Sequence, residues 1–253
     1  MLDLNIALFM SLVILAFVLI VIDCSLGMFF GTLGAPILMS FGFEPYLVVP
    51  SILISQLIGD VSGTYAHHKW KNAVFNGLTK DVKIVLTMVI PGIPAVFLAA
   101  MVSGHIPTWS VKTCVGFIAI VFGILCTTRI KFKFKWWRHI FYGICASFFK
   151  CLGGGGFGPL TSTGGIIGGL EAKISVATTT FAELIICALS FILLSLIHGL
   201  PNPYFAGSMC IGAFAGGFLG PYIASKVNQE KLRTLVAILG IIAGIWCIIK
   251  VFV

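Results

Sequence analysis

Phe148-Phe149-Lys150-Cys151-Leu152-Gly153-Gly154-Gly155-Gly156-Phe157-Gly158-Pro159 is the stretch that decides how this chain folds. It lies inside an apolar run over 140–170, too long for one simple helix and interrupted by four consecutive glycines. Glycine costs about 1 kcal/mol relative to alanine in a helix interior, so four in a row argue for a break. Lys150 stands immediately before them, where an apolar surrounding makes a charge expensive. The stretch predicts an interrupted membrane segment.

The sequence around it has the composition that such a segment needs. The chain has 253 residues, 59% hydrophobic and only 9% charged, and its mean hydropathy is +1.11. A soluble domain carries about 25% charged residues, so a soluble enzyme and an extracellular disulfide scaffold are excluded. A spanning helix needs about 20 mainly apolar residues. Candidate spans are 5–30, 45–66, 84–104, 110–128, 140–170, 174–197, 203–225 and 233–252. The fold class is therefore an all-α polytopic membrane protein with about 7–8 membrane segments. The N-terminal segment is read as retained, because residues 1–5 contain an acid and no base and 6–22 runs straight into more apolar sequence. The eight cysteines fall in apolar runs without CxxC spacing and read as buried small hydrophobes, with no metal site.

A second, milder interruption reveals an internal repeat. Gly31-Thr32-Leu33-Gly34-Ala35-Pro36 aligns with Gly154 to Pro159 at an offset of 123. Glycine follows six residues after each proline, as Gly42 and Gly165. Glu44 and Gln56 then match Glu171 and Glu183 if the second half carries a four-residue insertion. Farther on, 91–123 aligns with 212–244 at an offset of 121. Two transmembrane repeats, 1–128 and 140–253, joined by a basic aromatic linker at 129–139, are expected.

Charge tests how the copies are oriented. If all eight segments cross fully, the Lys and Arg outside the membrane divide 10 to 5. If each Gly-broken segment turns back as a re-entrant hairpin, the division becomes 13 to 2, with only Lys112 and Lys250 on the poorer side. The positive-inside bias favours the second arrangement, which inverts the halves. The net charge of +8 is thus a topology signal, and nucleic-acid binding is not expected. The linker Arg129 to Arg138, alternating bases and aromatics, reads as a segment that meets lipid headgroups.

Broken helices of transporters aim backbone N–H groups at anionic substrates near a repeat interface. Gly31, Gly34, Gly153, Gly154, Gly155, Gly156 and Gly158 are accordingly candidate substrate-binding positions; close helix packing is the other reading. Lys150 is a candidate anion-binding charge, with snorkelling to an interface as its alternative. Glu183 is a candidate to exchange a proton or to pair with Lys150, and its repeat partner Gln56 can hydrogen-bond but not titrate. Asp23 and Asp60 are further candidates for carrying protons, capping a helix break or binding a cation. His67 and His68 precede Lys69-Trp70-Lys71 and read as residues at a membrane edge.

With these features the sequence resembles the TauE/SafE family of sulfite and organosulfonate exporters. The resemblance rests on Gly27-Met28-Phe29-Phe30-Gly31-Thr32-Leu33-Gly34-Ala35-Pro36, on Gly153 to Pro159, and on the glycine-rich Gly212 to Gly220. Thr32 and Leu33 stand where the second motif has Gly155 and Gly156, so equal roles for the two halves are not implied. The resemblance implies a secondary exporter of small sulfur-containing anions in a prokaryotic cytoplasmic membrane, with protons as the coupling ion, lipids as surroundings and no cofactor. Independently, the chain has no GxxxxGKS or GxxxxGKT phosphate loop. An anion channel and an intramembrane enzyme are the alternatives, and a homo-oligomer is left open.

Overall fold

A computed structural model describes residues 6–107, 109–110, 113, 116–117, 120–121, 124, 127–128 and 132–252. Its long elements are helices: α1 (Ile6–Leu26), α2 (Phe30–Ser40), α3 (Pro45–Lys69), α4 (Lys80–Val102) and α5 (Trp136–Gly153). A π-helical turn (Pro159–Thr163) and the short α6 (Gly164–Ile167) follow, then α7 (Ala172–His198), α8 (Pro203–Lys226) and α9 (Gln229–Phe252). No strand occurs among the described residues. Five of these helices, α1, α3, α4, α7 and α8, are long and apolar enough to cross a membrane. The expected span 110–128 lies largely outside the described residues.

The ends of the helices follow local chemistry. Pro45 and Pro203 occupy first turns, where a missing N–H costs nothing. Asn202 accepts from Tyr204 N and Phe205 N at 2.9 and 3.2 Å, capping α8. Two expected boundaries move. The run 5–30 is not one helix, because α1 stops at Leu26 and Phe30 opens α2. Within the expected linker 129–139, α5 begins at Trp136, 132–135 has no regular secondary structure, and 129–131 lies outside the described residues.

Two groups of parallel helices make up the body. Gly212, Gly216 and Gly220 of α8 lie against the backbone near Val13, Phe17 and Val21 of α1, so these two helices run the same way. The four-residue spacing lets their backbones approach, which is how helices associate where lipid supplies no hydrophobic drive. Ser62 Oγ donates to Phe214 O at 2.9 Å, and Trp70 packs on Tyr222, which places α3 parallel to α8 as well. In the second group, Gly143 of α5 lies against Met88 and Gly92 of α4 against Ser147 and Ile186, while Ser103 meets His198 at 3.3 Å. That makes α4, α5 and α7 parallel to each other. One apolar core joins α1, α2, α3 and α8; a second joins α4, α5 and α7 with Val49 and Leu53 of α3. Large apolar side chains such as Ile14, Val61, Phe97 and Phe214 cover the outside.

Both interrupted segments turn back. Phe43, just after α2, meets Phe205 edge to face, and Phe9 of α1 meets the adjacent Tyr204 in the same way, with ring centroids 4.9 and 5.0 Å apart. The chain thus returns to the face where α1 begins. Likewise Ile167 O accepts from Phe132 N at 2.8 Å, so the segment after α5 returns to the face where α5 begins. That second face also receives the ends of α3 and α8. Lys80 sits over the Phe134 ring there, and Lys173 Nζ donates to Ser225 O at 2.8 Å. We call it the basic face.

Candidate functional site

The two interruptions meet in the middle of the protein. Helix α5 stops because Gly154 adopts a left-handed φ of 71° and turns its N–H to Lys150 O at 2.9 Å. Gly155 then lies so close to the first segment that a Cβ there would come within 2.7 Å of Gly31 C and Thr32 N. A Cβ on Gly31 would overlap the Gly154 carbonyl in return. Gly158 abuts Gly27 and Met28 in the same manner. Only glycine permits two backbones to touch along such a length. Thr32 Oγ1 accepts from Gly156 N at 3.2 Å and ties the segments together.

A chain of polar side chains borders this crossing, and all of it is buried. Asp23, in the last turn of α1, accepts from Phe30 N at 2.8 Å through Oδ1, capping α2 across the break. This cap helps to hold Phe29 at a φ of 119°, a conformation that costs a non-glycine residue about 1–3 kcal/mol. Asp23 Oδ2 accepts from Gln56 Nε2 at 3.2 Å, and Gln56 Oε1 in turn accepts from Lys150 Nζ. Lys150 Nζ also donates to Glu183 Oε1 at 2.8 Å. The Gln56 amide is thus oriented by a carboxylate on its nitrogen side and an ammonium on its oxygen side. Lys150 is 0% exposed and Glu183 3%, so this ion pair is cut off from both faces.

Charge and hydrogen bonding are both left incomplete. Asp23, Asp60 and Glu183 bring three carboxyls to the interior and Lys150 one cation. Glu183 Oε2, Asp60 Oδ2 and Thr179 Oγ1, one turn before Glu183, are buried with no hydrogen-bond partner. A buried polar atom without a partner costs about 1–3 kcal/mol, more if charged, so each of these calls for a physical reason. A cavity of about 180 Å³ opens near the face opposite the basic one, with His198 and Ser103 among its walls. It reaches Cys151 and Leu152, which follow Lys150 directly.

Of the positions singled out in the sequence, Gly31, Gly154, Gly155, Gly156 and Gly158 come together at the crossing. Gln56, Lys150, Glu183 and Asp23 form the polar chain. Gly153 closes α5 beside them. Gly34 does not join the crossing; it packs against Leu19 and Ile52. Asp60 stands apart from the chain of hydrogen bonds, with Cys24 Sγ 4.0 Å from its Oδ1. His67 lies in the last turn of α3 but faces inward, 0% exposed and bonded to Asn72, whereas His68 is half-buried beside Phe75. Thr32 and Thr179 escaped the sequence reading, although the threonine run 178–180 was a signal for the second of them. No cluster of three metal-ligating side chains occurs among the described residues.

The family model described as "Sulfite exporter TauE/SafE" matches residues 12–247. The chain is also 25% identical over 231 residues to the "Probable membrane transporter protein YtnM" of Bacillus subtilis (strain 168), covering 85% of this chain and 74% of that protein. No solved structure matches.

Proposed function

Because the chain belongs to the sulfite exporter TauE/SafE family, we propose that it is a secondary transporter exporting small sulfur-containing anions, such as sulfite, sulfoacetate and related organosulfonates, in a proton-coupled manner. One observation carries this reading: a fully buried Lys150–Glu183 pair stands against two glycine-broken segments that touch backbone to backbone. A small dianion entering an apolar interior needs a positive charge and oriented N–H groups. Lys150 supplies the charge. Gly31 and Gly153 to Gly158 supply backbone that a ligand can approach, with Gln56 as a hydrogen-bonding neighbour.

Glu183 is the coupling acid on this reading. Ionised, it holds Lys150; protonated, it frees the ammonium for the anion. Protonation of Glu183 and binding of the anion at Lys150 thereby go together, and alternating access carries the two in the same direction. Asp23 and Asp60 add carboxyls within the same interior.

The halves 1–128 and 140–253 act as inverted copies around the crossing. Support comes from direction: α1 runs opposite to α5, α3 to α7 and α4 to α8. It comes also from packing, because α1 lies on α8 as α5 lies on α4. Gly31 and Gly154, which the repeat pairs, touch each other, as an axis through the crossing requires. Lys69, Lys71, Lys83, Lys135, Arg138 and Lys231 join the lysines already noted at the basic face. The positive-inside bias makes that face cytoplasmic.

The test is uptake by the purified protein in proteoliposomes, comparing sulfite, sulfoacetate, thiosulfate and sulfate with and without a pH gradient. Saturable transport of sulfite or sulfoacetate that the pH gradient accelerates is expected. A non-saturating anion current would instead identify a channel, and chemical conversion of the substrate an enzyme.

A further inference from the structure

The coupling acid is sealed in the interior, so a proton needs a way to it. Helix α3 carries one. Asp60, Thr64 and His67 follow each other at spacings of four and three, which stacks them on one face of the helix. Each presents a buried atom with no hydrogen-bond partner: Asp60 Oδ2, Thr64 Oγ1 and His67 Nε2. At a rise of about 1.5 Å per residue, Asp60 lies roughly 14 Å below the end of α3 at the basic face, and His67 within its last turn.

Asn72 fixes the chemistry of the outer end. Its Nδ2 donates to Pro221 O at 2.9 Å, and a carbonyl can only accept, so the amide nitrogen is assigned to that side. The same Nδ2 lies 3.0 Å from His67 Nδ1, which must therefore accept. The proton of the neutral imidazole then sits on Nε2, which turns toward the Cys24 backbone without completing a hydrogen bond to it. The surroundings favour passage along this line. Cys24 and Asp23 face it from α1, Glu183 and Thr180 from α7, and Lys150 from α5. Helix α8 contributes the carbonyls of Phe214 and Pro221, and at the exit Tyr222 stacked on Trp70.

The other half has no such line. In the register that pairs Gln56 with Glu183, the α7 residues matching Asp60, Thr64 and His67 are Cys187, Phe191 and Leu194, all within or against the apolar core. Ser190 and Ser195 leave hydroxyls unmatched on that stretch, but no titratable group follows Cys187 before His198. Helix α7 leads to the opposite face, where the cavity reaching Cys151 lies.

We propose that Asp60, Thr64 and His67 are a proton relay joining Glu183 to the basic face, and that this face alone is served by it. For export, His67 takes one proton at Nδ1 from the side of the loop at 70–79 and releases the one on Nε2 to the Thr64 hydroxyl. Thr64 passes a proton to Asp60 Oδ2, and Asp60 gives one to Glu183, which frees Lys150 for the anion. Anion and proton then leave through the opposite cavity. The relay rests on the proton-coupled reading above.

The experiment uses full-length protein in proteoliposomes with radiolabelled sulfite as the probe. Two rates are measured: sulfite–sulfite exchange at equal pH, which needs no net proton movement, and net flux driven by a pH gradient. Thr64→Val and His67→Leu should lower the driven flux about tenfold or more while exchange stays within about twofold of wild type. His67→Gln keeps a hydrogen-bonding shape without a titrating ring and should do the same. Driven flux at the wild-type rate in all three variants overturns the relay and leaves the coupled transporter intact. Loss of exchange together with driven flux in all three makes these residues structural and also overturns it. Wild-type protein that exchanges no sulfite, or whose sulfite flux ignores the pH gradient, overturns the proposed function and the relay with it.

Discussion

Replacing Lys150 by methionine separates the site's stability from its ligand chemistry. The ammonium donates to Gln56 Oε1 and Glu183 Oε1, and Glu183 Oε2 has no partner already. Lys150→Met therefore leaves a carboxyl that is 3% exposed with nothing on either oxygen. Breaking a buried ion pair from one side costs about 3–5 kcal/mol, most of it the penalty on the charge left behind. For a chain of this size that corresponds to a fall in melting temperature of roughly 6–20 °C. Adding Glu183→Gln removes the stranded charge and should restore more than half of the loss, because Gln can still bond with its neighbours. Sulfite binding should not return, since neither variant holds a cation at the crossing. Thermal unfolding in detergent and titration calorimetry with sulfite measure the two effects separately. Wild-type stability and binding in Lys150→Met, or a double variant as unstable as the single one, would refute the reasoning.

Glu183→Gln alone should retain sulfite binding yet lose most pH-driven flux; full coupled flux in vesicles removes Glu183 from the mechanism. Gly31→Ala and Gly155→Val should insert into the membrane but fail to bind sulfite. A Cβ at either position meets the opposing backbone, and overpacking costs about 1–3 kcal/mol before any ligand is considered; normal calorimetric binding by both would place the ligand elsewhere. Thr32→Val strands Gly156 N, so a loss of about 1–3 kcal/mol, read as a lowered melting temperature, is expected. Cysteines introduced at Lys71, Lys133 and Lys231, in a background freed of reactive native cysteines, should all be labelled from the same side of the membrane. Opposite labelling of Lys133 and Lys231 would support two parallel halves.

Much of this arrangement was written in glycine and charge. Gly153 to Gly156 announced the break because no helix tolerates four glycines cheaply, and the break starts at Gly154. Lys150 and Glu183 were legible singly, since a charge within an apolar run demands a partner. Their mutual pairing could only be suggested, because α5 and α7 meet through tertiary packing that no local spacing encodes. His67 was legible only in part. Its neighbours Lys69 and Lys71 signal a helix end, and it does lie in the last turn of α3, but which side of that turn faces inward depends on packing against α8. The stop of α1 at Leu26 was also illegible. Gly27 is a single glycine; its left-handed φ of 75° ends α1, and the Asp23 cap on Phe30 then fixes the turn across the gap.

The imbalance of three buried carboxyls against one ammonium bears on how such a site could move an anion at all. A permanently free lysine would attract a dianion strongly and release it slowly. A lysine permanently held by Glu183 would not attract it. The pair at 2.8 Å is useful because one proton decides between these states. Gln56 makes that decision asymmetric: it occupies the repeat position of Glu183 and touches the same ammonium, but it cannot be switched. One half therefore holds Lys150 in place constantly, and the other half holds it conditionally. A symmetric pair of glutamates would bring a second negative charge to the same cation and weaken its hold on any anion. On the proposed reading, the departure from repeat symmetry at 56 and 183 is what lets a single proton gate the anion.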